Sequence, residues 1–232
     1  MKRSEINEIV GHGEADFARS GFALPPFAFW SPADWRRERR GAEAMVATGL
    51  GWDVTDFGSR RFVEKGLLLF TIRNGLLASK LAGNRPYAEK IMIARRDQLT
   101  PMHRHATKIE DIILRSALTP GAKLAVKLFS MKPEGAVDEE TKVTAHLDGR
   151  TREVDAGSVL LLTPGESITL FPGTYHAFWG EGGDALIGEV SSVNDDASDN
   201  FFAEPVARFA EIDEDEAPRR LLATDYRSLS SA

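Results

Sequence analysis

The chain has 232 residues, a formal net charge of −6 and no cysteine. That length can bury one good core, so we expect a single domain over residues 1–232. The net negative charge argues against nucleic acid as an obligatory partner. The absence of cysteine excludes disulfides and thiolate metal ligands. No apolar run approaches the about 18 residues of a membrane span, and no N-terminal leader is recognisable, so we expect a cytoplasmic protein without a membrane partner.

Residues 1–50 carry helical signals and are expected to form a cap packed on the rest of the chain. Ser4 has the residue type of an N-cap and predicts the start of a first helix. The prolines within Leu24–Trp30 predict an extended aromatic segment. Ser31, followed by a proline and an acid in the first turn, predicts a second helix that runs to about Ala47.

After Gly51 the apolar pattern changes to period two, which is typical of strands. Turn signals such as Asp148-Gly149 and Gly182-Gly183 separate the segments. Many short strands at regular spacing predict an all-β fold with minor helix, a barrel or double-sheet jelly roll. The predicted strands lie near residues 67–73, 90–95, 111–114, 123–130, 143–146, 158–162, 167–170, 176–179 and 185–193.

Two histidines lie two residues apart, and this spacing carries more information than either side chain alone. A lone histidine in a strand is usually structural, but in a strand the side chains of His103 and His105 point to one face and can reach one ion. Glu110 follows at an odd spacing, so the chain must bulge or turn around residues 106–107 to bring it to that face. Lys108 then shares the face of Glu110.

A fourth candidate ligand, His176, can be placed by counting from the next turn. If Gly182-Gly183 is a two-residue hairpin loop, His176 pairs directly with Glu189. Three imidazoles and one carboxylate, from His103, His105, Glu110 and His176, make a ligand set for a catalytic divalent metal. The alternative for Glu189 is a solvated position on the outside of the barrel.

Two segments around these residues resemble the two cupin motifs. The first is His103-x-His105-x4-Glu110, and the second is Gly165-x6-Pro172-Gly173-x2-His176. Two details differ: Asp97 stands where the first motif usually has a glycine, and the Pro-x-Gly of the second motif is shortened to Pro172-Gly173. The resemblance implies a cupin barrel, a double-stranded β-helix, with N-terminal helices.

A narrower resemblance covers nearly the whole chain. The sequence is similar to the cupin-type D-lyxose isomerases, with one departure at Leu114–Leu118. The matching segments are residues 1–7, 24–32, 52–58, 87–90, 101–105, 108–113 and 188–196.

This resemblance implies an aldose–ketose isomerase that interconverts D-lyxose and D-xylulose, and also D-mannose and D-fructose, through an enediolate stabilised by the metal. Mixed nitrogen and oxygen ligands suit Mn²⁺, Co²⁺, Ni²⁺ or Fe²⁺, and Zn²⁺ less well. Mn²⁺ is the metal that the family implies. A small-molecule sugar is the expected ligand, and a homodimer is expected because cupins often pair through exposed sheet.

Isomerisation also needs a group that moves a proton. Glu189 is the first candidate for this base, and Lys108 is the candidate for the acid that protonates or hydrogen-bonds the sugar oxygen. Four further polar residues are candidates for binding sugar hydroxyls, although a single polar residue is more often a surface or structural group: Lys90, Arg115, Asp195 and Arg208.

Other functions use the same ligand set. An Fe²⁺-dependent cupin dioxygenase has the same three histidines and one glutamate, and oxygen consumption would separate it from an isomerase. A non-catalytic sugar-binding cupin would bind sugars without converting them. A phosphosugar isomerase would need a basic phosphate pocket, and none is identifiable in the sequence.

Overall fold

The computed structural model of the protein describes residues 1–77 and 84–230. Three α-helices lie near the N-terminus: α1 (Arg3–Arg19), α2 (Pro32–Arg37) and α3 (Glu43–Ala47). Short 3₁₀ turns cover Pro26–Phe29, Arg39–Gly41 and Ala223–Ser230. Within the described ranges, no helix is both long enough and apolar enough to cross a membrane.

Strands make up most of the remaining described chain. They are β1 (Gly51–Thr55), β2 (Leu67–Arg73), β3 (Tyr87–Ala94), β4 (Thr100–Arg104), β5 (Glu110–Ala117), β6 (Lys123–Met131), β7 (Val137–Asp138), β8 (Val143–Leu147), β9 (Arg150–Val154), β10 (Val159–Leu162), β11 (Ser167–Leu170), β12 (Tyr175–Glu181), β13 (Ala185–Ser192) and β14 (Phe201–Phe202).

Two antiparallel sheets form the barrel. The larger has the order β1-β2-β3-β13-β5-β11-β8-β9, and the smaller has the order β10-β6-β12-β4-β14 with β7 paired to β6. The inner faces of both sheets contribute to one apolar cluster, in which Met92 and Ile112 of the larger sheet pack with Leu128 and Phe178 of the smaller one. This is the double-sheet β-barrel of the cupin type, so the predicted fold class is confirmed.

Helix α1 covers the outer face of the larger sheet. Ile6, Val10 and Phe17 recur at helical spacing and pack in a second apolar cluster with Trp52 and Phe70. Such an amphipathic helix is stabilised mainly by this packing, because its apolar face is removed from water only where it packs against the sheet.

The predicted cap of α1 was wrong. Lys2 is the N-cap and makes no side-chain capping bond, and Ser4 lies inside the first turn. The backbone N–H of Ser4 instead donates to Asp215 Oδ1 at 2.9 Å. A carboxylate from an acidic turn distant in sequence therefore accepts a hydrogen bond from the first turn of the helix, which local residue types do not reveal.

Two further N-terminal predictions need correction. The segment expected to be extended contains the 3₁₀ turn Pro26–Phe29, because a proline is tolerated in the first turn of a helix. The second predicted helix starts as expected, with a capping box between Ser31 and Asp34. It does not continue to Ala47, since the 3₁₀ turn at Arg39–Gly41 separates α2 from α3.

The predicted hairpin at Gly182-Gly183 was also wrong. Strand β12 pairs with β6 and β4, whereas β13 pairs with β3 and β5, so the two strands flanking this turn belong to different sheets. Accordingly, His176 lies opposite Leu128 and His103, and Glu189 lies opposite Lys90 and Ile112. Turn chemistry identified the reversal of the chain but not the sheet that the next strand joins.

At Gly180, near the end of β12, the backbones of neighbouring segments approach each other closely. A Cβ atom there would lie 2.4 Å from the carbonyl oxygen of Gly183 and 2.9 Å from those of Ala94 and Arg95. Because backbone atoms cannot rotate away, Gly180→Ala should lower the free energy of unfolding by about 1–3 kcal/mol. Urea denaturation measures this, with Gly41→Ala as control, since a Cβ at Gly41 meets nothing within 4 Å. Equal stabilities of the two variants would contradict the prediction.

Candidate metal centre

The four predicted ligands converge inside the barrel from both sheets. His103 lies on β4 and His176 lies opposite it on β12, both in the smaller sheet. Glu110 begins β5 in the larger sheet, and His105 follows the end of β4. One ligand atom from each of the four buried side chains lies within 4.8 Å of the others.

A turn between β4 and β5 brings Glu110 to the same interior as the histidines. The carboxylate of Asp199 accepts hydrogen bonds from the backbone N–H of Ala106 at 2.6 Å and of Lys108 at 3.0 Å. The odd spacing between His105 and Glu110 required a bulge or turn around residues 106–107, and the turn lies there. Asp199 was not among the predicted residues, because nothing local connects it to a segment 93 residues away.

All three imidazoles are oriented by backbone carbonyls. Nδ1 of His103 lies 2.8 Å from the Pro101 oxygen, and Nδ1 of His176 lies 3.1 Å from the Thr174 oxygen. Nδ1 of His105 contacts the carbonyl of Asp199. A carbonyl only accepts, so each Nδ1 carries the hydrogen and each Nε2 keeps a lone pair. This arrangement is typical of histidines that bind metals through Nε2.

Two of these Nε2 atoms face a carboxylate oxygen. Glu110 Oε1 lies 3.0 Å from His176 Nε2 and 3.4 Å from His105 Nε2. These three buried atoms have no hydrogen-bond partner among the described residues. Buried polar atoms are costly when unsatisfied, and a cation at their centre would satisfy all of them. The residues therefore fit a divalent metal held by three nitrogens and one carboxylate oxygen.

The ionisation of the ligands agrees with that fit. Burial, together with the neighbouring imidazoles of His176 and His105, holds the pKa of His103 well below its ordinary value, so this imidazole is neutral. Burial alone would raise the pKa of Glu110, but the Lys108 ammonium outweighs it and holds that pKa well below its usual range. Neutral imidazoles and an ionised carboxylate are the forms that bind metal.

Lys108 and Glu189 lie beside the ligand set. Lys108 Nζ is 2.6 Å from Glu110 Oε2 and 3.2 Å from Glu189 Oε1, and both side chains are buried. Burial would lower the pKa of Lys108, but the carboxylates of Glu110, Glu189 and Asp196 outweigh it and raise that pKa above its ordinary value. The raised pKa favours the charged form of Lys108. Glu189 lies inside the barrel rather than on its outer surface.

A cavity adjoins the ligands and is lined by further charged groups. Arg208 reaches it with Nη2 held 2.7 Å from Asp53 Oδ2 and 3.1 Å from Asp196 Oδ2. Its Nη1 is buried and has no hydrogen-bond partner in the described chain. The lining includes Lys90, Asn200 and Phe178 as well as the four residues His103, His105, Lys108 and Glu110.

Two of the four predicted sugar-binding residues lie elsewhere. Arg115 is exposed on the outer face of β5, because the inward positions of this strand are Glu110, Ile112 and Leu114. Asp195 caps the following turn, where its Oδ1 accepts from the N–H of Ala197 at 3.1 Å.

Asp196 occupies the cavity instead of Asp195. Two adjacent aspartates after a strand give no sequence signal of which one turns inward. The sequence also offered no prediction for Asn194 and Asp53, whose side chains contact Lys90 and Arg208 respectively. Lys90 and Arg208 do line the cavity.

The missing cupin glycine has a structural explanation. Asp97 adopts a φ of 57°, the left-handed conformation that glycine would take most easily. Aspartate tolerates this conformation better than most residues. The backbone shape is therefore kept although the residue type differs.

Comparisons with known proteins show the family of the chain. The sequence profile of the D-lyxose isomerase family matches residues 1–226. D-lyxose/D-mannose isomerases from Serratia proteamaculans and Escherichia coli O157:H7 are each 48% identical to the chain, and cover 97% and 98% of it and 98% and 99% of their own lengths.

Solved structures with a similar fold are L-ribose isomerases. The enzyme from Acinetobacter sp. DL28 in complex with L-ribose has a TM-score of 0.59 at 14% identity, and that from Cellulomonas parahominis with L-psicose has 0.56 at 16%. Each comparison covers 92% of this chain and 98% of the other. These low identities support the fold, whereas the profile and the 48% relatives show that the chain belongs to the D-lyxose isomerase family.

Proposed function

We propose that the protein interconverts D-lyxose and D-xylulose, and also D-mannose and D-fructose. The observation that carries this proposal is the convergence of three imidazole nitrogens and one carboxylate oxygen beside the buried Lys108–Glu189 pair. Its choice of sugars rests on the names of the relatives, which are 48% identical to the chain.

His103, His105, Glu110 and His176 would hold the metal, for which we propose Mn²⁺, since three nitrogens and one oxygen suit this ion and leave positions for a substrate. When bound, such an ion acts as a Lewis acid that polarises a carbonyl and stabilises negative charge on neighbouring oxygens. The Nδ1 hydrogen bonds of the histidines would keep the ligands oriented before any sugar arrives.

Glu189 is the proposed base of the reaction. Its carboxylate would take the proton from C2 of the open-chain aldose and return it to C1, while the hydroxyl proton on O2 moves to O1, so that the ketose forms through an enediol. Lys108 would donate a hydrogen bond to the oxygen on which negative charge develops. Its raised pKa suits this role better than full proton donation, because a permanent cation keeps its hydrogens at neutral pH.

The remaining charged groups of the cavity are proposed to bind sugar hydroxyls. Lys90 Nζ and Asp196 Oδ1 lie 3.3 Å apart, and Arg208 presents the unpartnered Nη1. Each offers a donor or an acceptor that a hydroxyl could use. Asp196 therefore replaces Asp195 in the proposal, and Arg115 is no longer part of it.

We also propose a cytoplasmic homodimer, each chain folding as one domain with residues 1–50 as a helical cap. The dimer is supported by exposed apolar side chains along the larger sheet, those of Tyr87 on β3 (44% exposed), Val190 on β13 (41%) and Ile109 directly before β5 (42%). Such contiguous patches often mark interfaces.

Replacing a ligand should remove metal binding. We expect His176→Gln to weaken Mn²⁺ binding to the metal-free protein by more than about 100-fold, because losing a metal ligand should cost more than losing a residue that hydrogen-bonds to a ligand. Titration calorimetry measures the affinity. The control is His12→Gln, since His12 is exposed on α1. A His176→Gln protein that binds Mn²⁺ like the control would exclude this centre.

Replacing either catalytic candidate should slow turnover and leave metal binding intact. For the Mn²⁺-loaded protein with D-lyxose, Lys108→Ala and Glu189→Gln should each lower kcat for D-xylulose formation by about 10²–10⁴-fold. Glu89→Gln is the matched control, since Glu89 lies on the adjoining strand with its side chain paired to Arg73. Near-normal kcat in either variant would remove that role, and no ketose from the unaltered protein would refute the proposed function.

A charge in the apolar patch should separate the dimer. Val190→Lys places an ammonium where burial against a second copy would be costly, so sedimentation velocity should show a monomer. Val63→Lys is the control, because Val63 is 78% exposed and lies outside the patch. A Val190→Lys protein that sediments as a dimer would rule out this interface.

A further inference from the structure

Asn74 is a buried carboxamide directly after β2, and all of its hydrogen-bonding capacity is used. Its Nδ2 donates to the carbonyl oxygens of Thr48 at 3.0 Å and Asn194 at 2.9 Å. Its Oδ1 accepts from the backbone N–H of Gly75 at 2.9 Å and of Asn194 at 3.0 Å. Two donors and two accepted bonds satisfy an amide side chain fully. No aliphatic or acidic side chain of this size could make the same four bonds.

Two of these bonds hold one residue from both sides. The backbone N–H and C=O of Asn194 are both bound by the Asn74 side chain, in the manner of a partner strand. Asn194 follows the end of β13, where regular strand pairing has ceased. Asn74 therefore fixes the backbone of Asn194 relative to β2 and to the end of α3.

The side chain of Asn194 lies between the two lysines of the site. Its Oδ1 is 2.7 Å from Lys90 Nζ and 3.4 Å from Lys108 Nζ. The same two ammonium groups lie 3.6 Å and 3.2 Å from Glu189 Oε1. A neutral oxygen in this place attracts both cations without taking a proton from either. The direction of each lysine thus depends on where the Asn194 carboxamide lies.

We propose that Asn74 is a positioning residue for catalysis, which acts through Asn194 on Lys90 and Lys108. This inference rests on the proposed function. Asn74 lies outside the lining of the cavity beside the metal ligands, and the four bonds above join it to none of those ligands. Its effect must therefore pass through the carboxamide that contacts both lysines, and it should appear in turnover rather than in metal binding.

A double-mutant cycle tests this path. In the Mn²⁺-loaded protein with D-lyxose, Asn74→Ala and Asn194→Ala should each lower kcat by about 10- to 100-fold, because small displacements of positioned groups cost this much. KM should change by less than about 3-fold, and Mn²⁺ affinity should stay the same. In the double variant kcat should lie within about 2-fold of the Asn194→Ala value, since both changes remove one interaction.

Gln98→Ala is the control for a merely structural loss. Gln98 is an equally buried carboxamide that donates to the Phe62 carbonyl oxygen at 2.6 Å, and its loss should lower stability without lowering kcat. If Asn74→Ala does not fold, Asn74→Asp takes its place, because it keeps the volume and the acceptor but not the two donors.

Three results would overturn the inference. They are kcat within about 3-fold of the parent in the soluble Asn74 variant, losses that multiply in the double variant, and loss of kcat in Gln98→Ala to the same extent. A parent protein that converts no sugar would instead refute the proposed function. The two failures are therefore distinguishable.

Discussion

The site depends on one electrostatic conflict in the barrel interior. Lone pairs of buried imidazole nitrogens face a buried carboxylate oxygen, with Glu110 Oε1 only 3.0 Å from His176 Nε2. The histidines cannot relieve the conflict by turning, because backbone carbonyls bind their Nδ1 atoms. Unsatisfied polar atoms in a low-dielectric interior are costly, and a divalent cation would turn this cost into coordination energy. The fold therefore holds in place an arrangement that a bound metal would stabilise.

Closure of the barrel is what assembles this arrangement. The smaller sheet contributes His103 and His176, and the larger sheet contributes Glu110 and Glu189. The apolar cluster between the sheets fixes their separation, so packing of residues such as Ile112 and Phe178 sets the distances between ligands. Small changes in the core should for this reason be felt at the centre, even where no ligand is replaced.

Around the ligands, positive and negative groups alternate. Lys108 lies between Glu110 and Glu189, Lys90 lies near Glu189 and Asp196, and Arg208 lies between Asp196 and Asp53. Each buried charge has opposite charges nearby, which offsets the cost of removing it from water. Burial would raise the pKa of Asp196, but Arg208 and Lys90 outweigh it and hold that pKa well below its ordinary value. The network leaves Arg208 Nη1 without a hydrogen-bond partner among the described residues.

The sequence by itself determined an all-β barrel, the four candidate ligand side chains, and the common face of Lys108 and Glu110, because strand periodicity and residue chemistry are local properties. The cupin class was implied by the resemblance of two segments to known motifs. The sequence led to a wrong strand partner for His176, since a two-glycine turn does not specify whether the next strand stays in its sheet. Only the tertiary structure decided that Asp196 rather than Asp195 lines the cavity, that Arg115 points outward, and that Asp199 and Asn74 hold segments far away in sequence. These outcomes depend on which backbone groups meet after the sheets have packed, and no local pattern encodes that meeting.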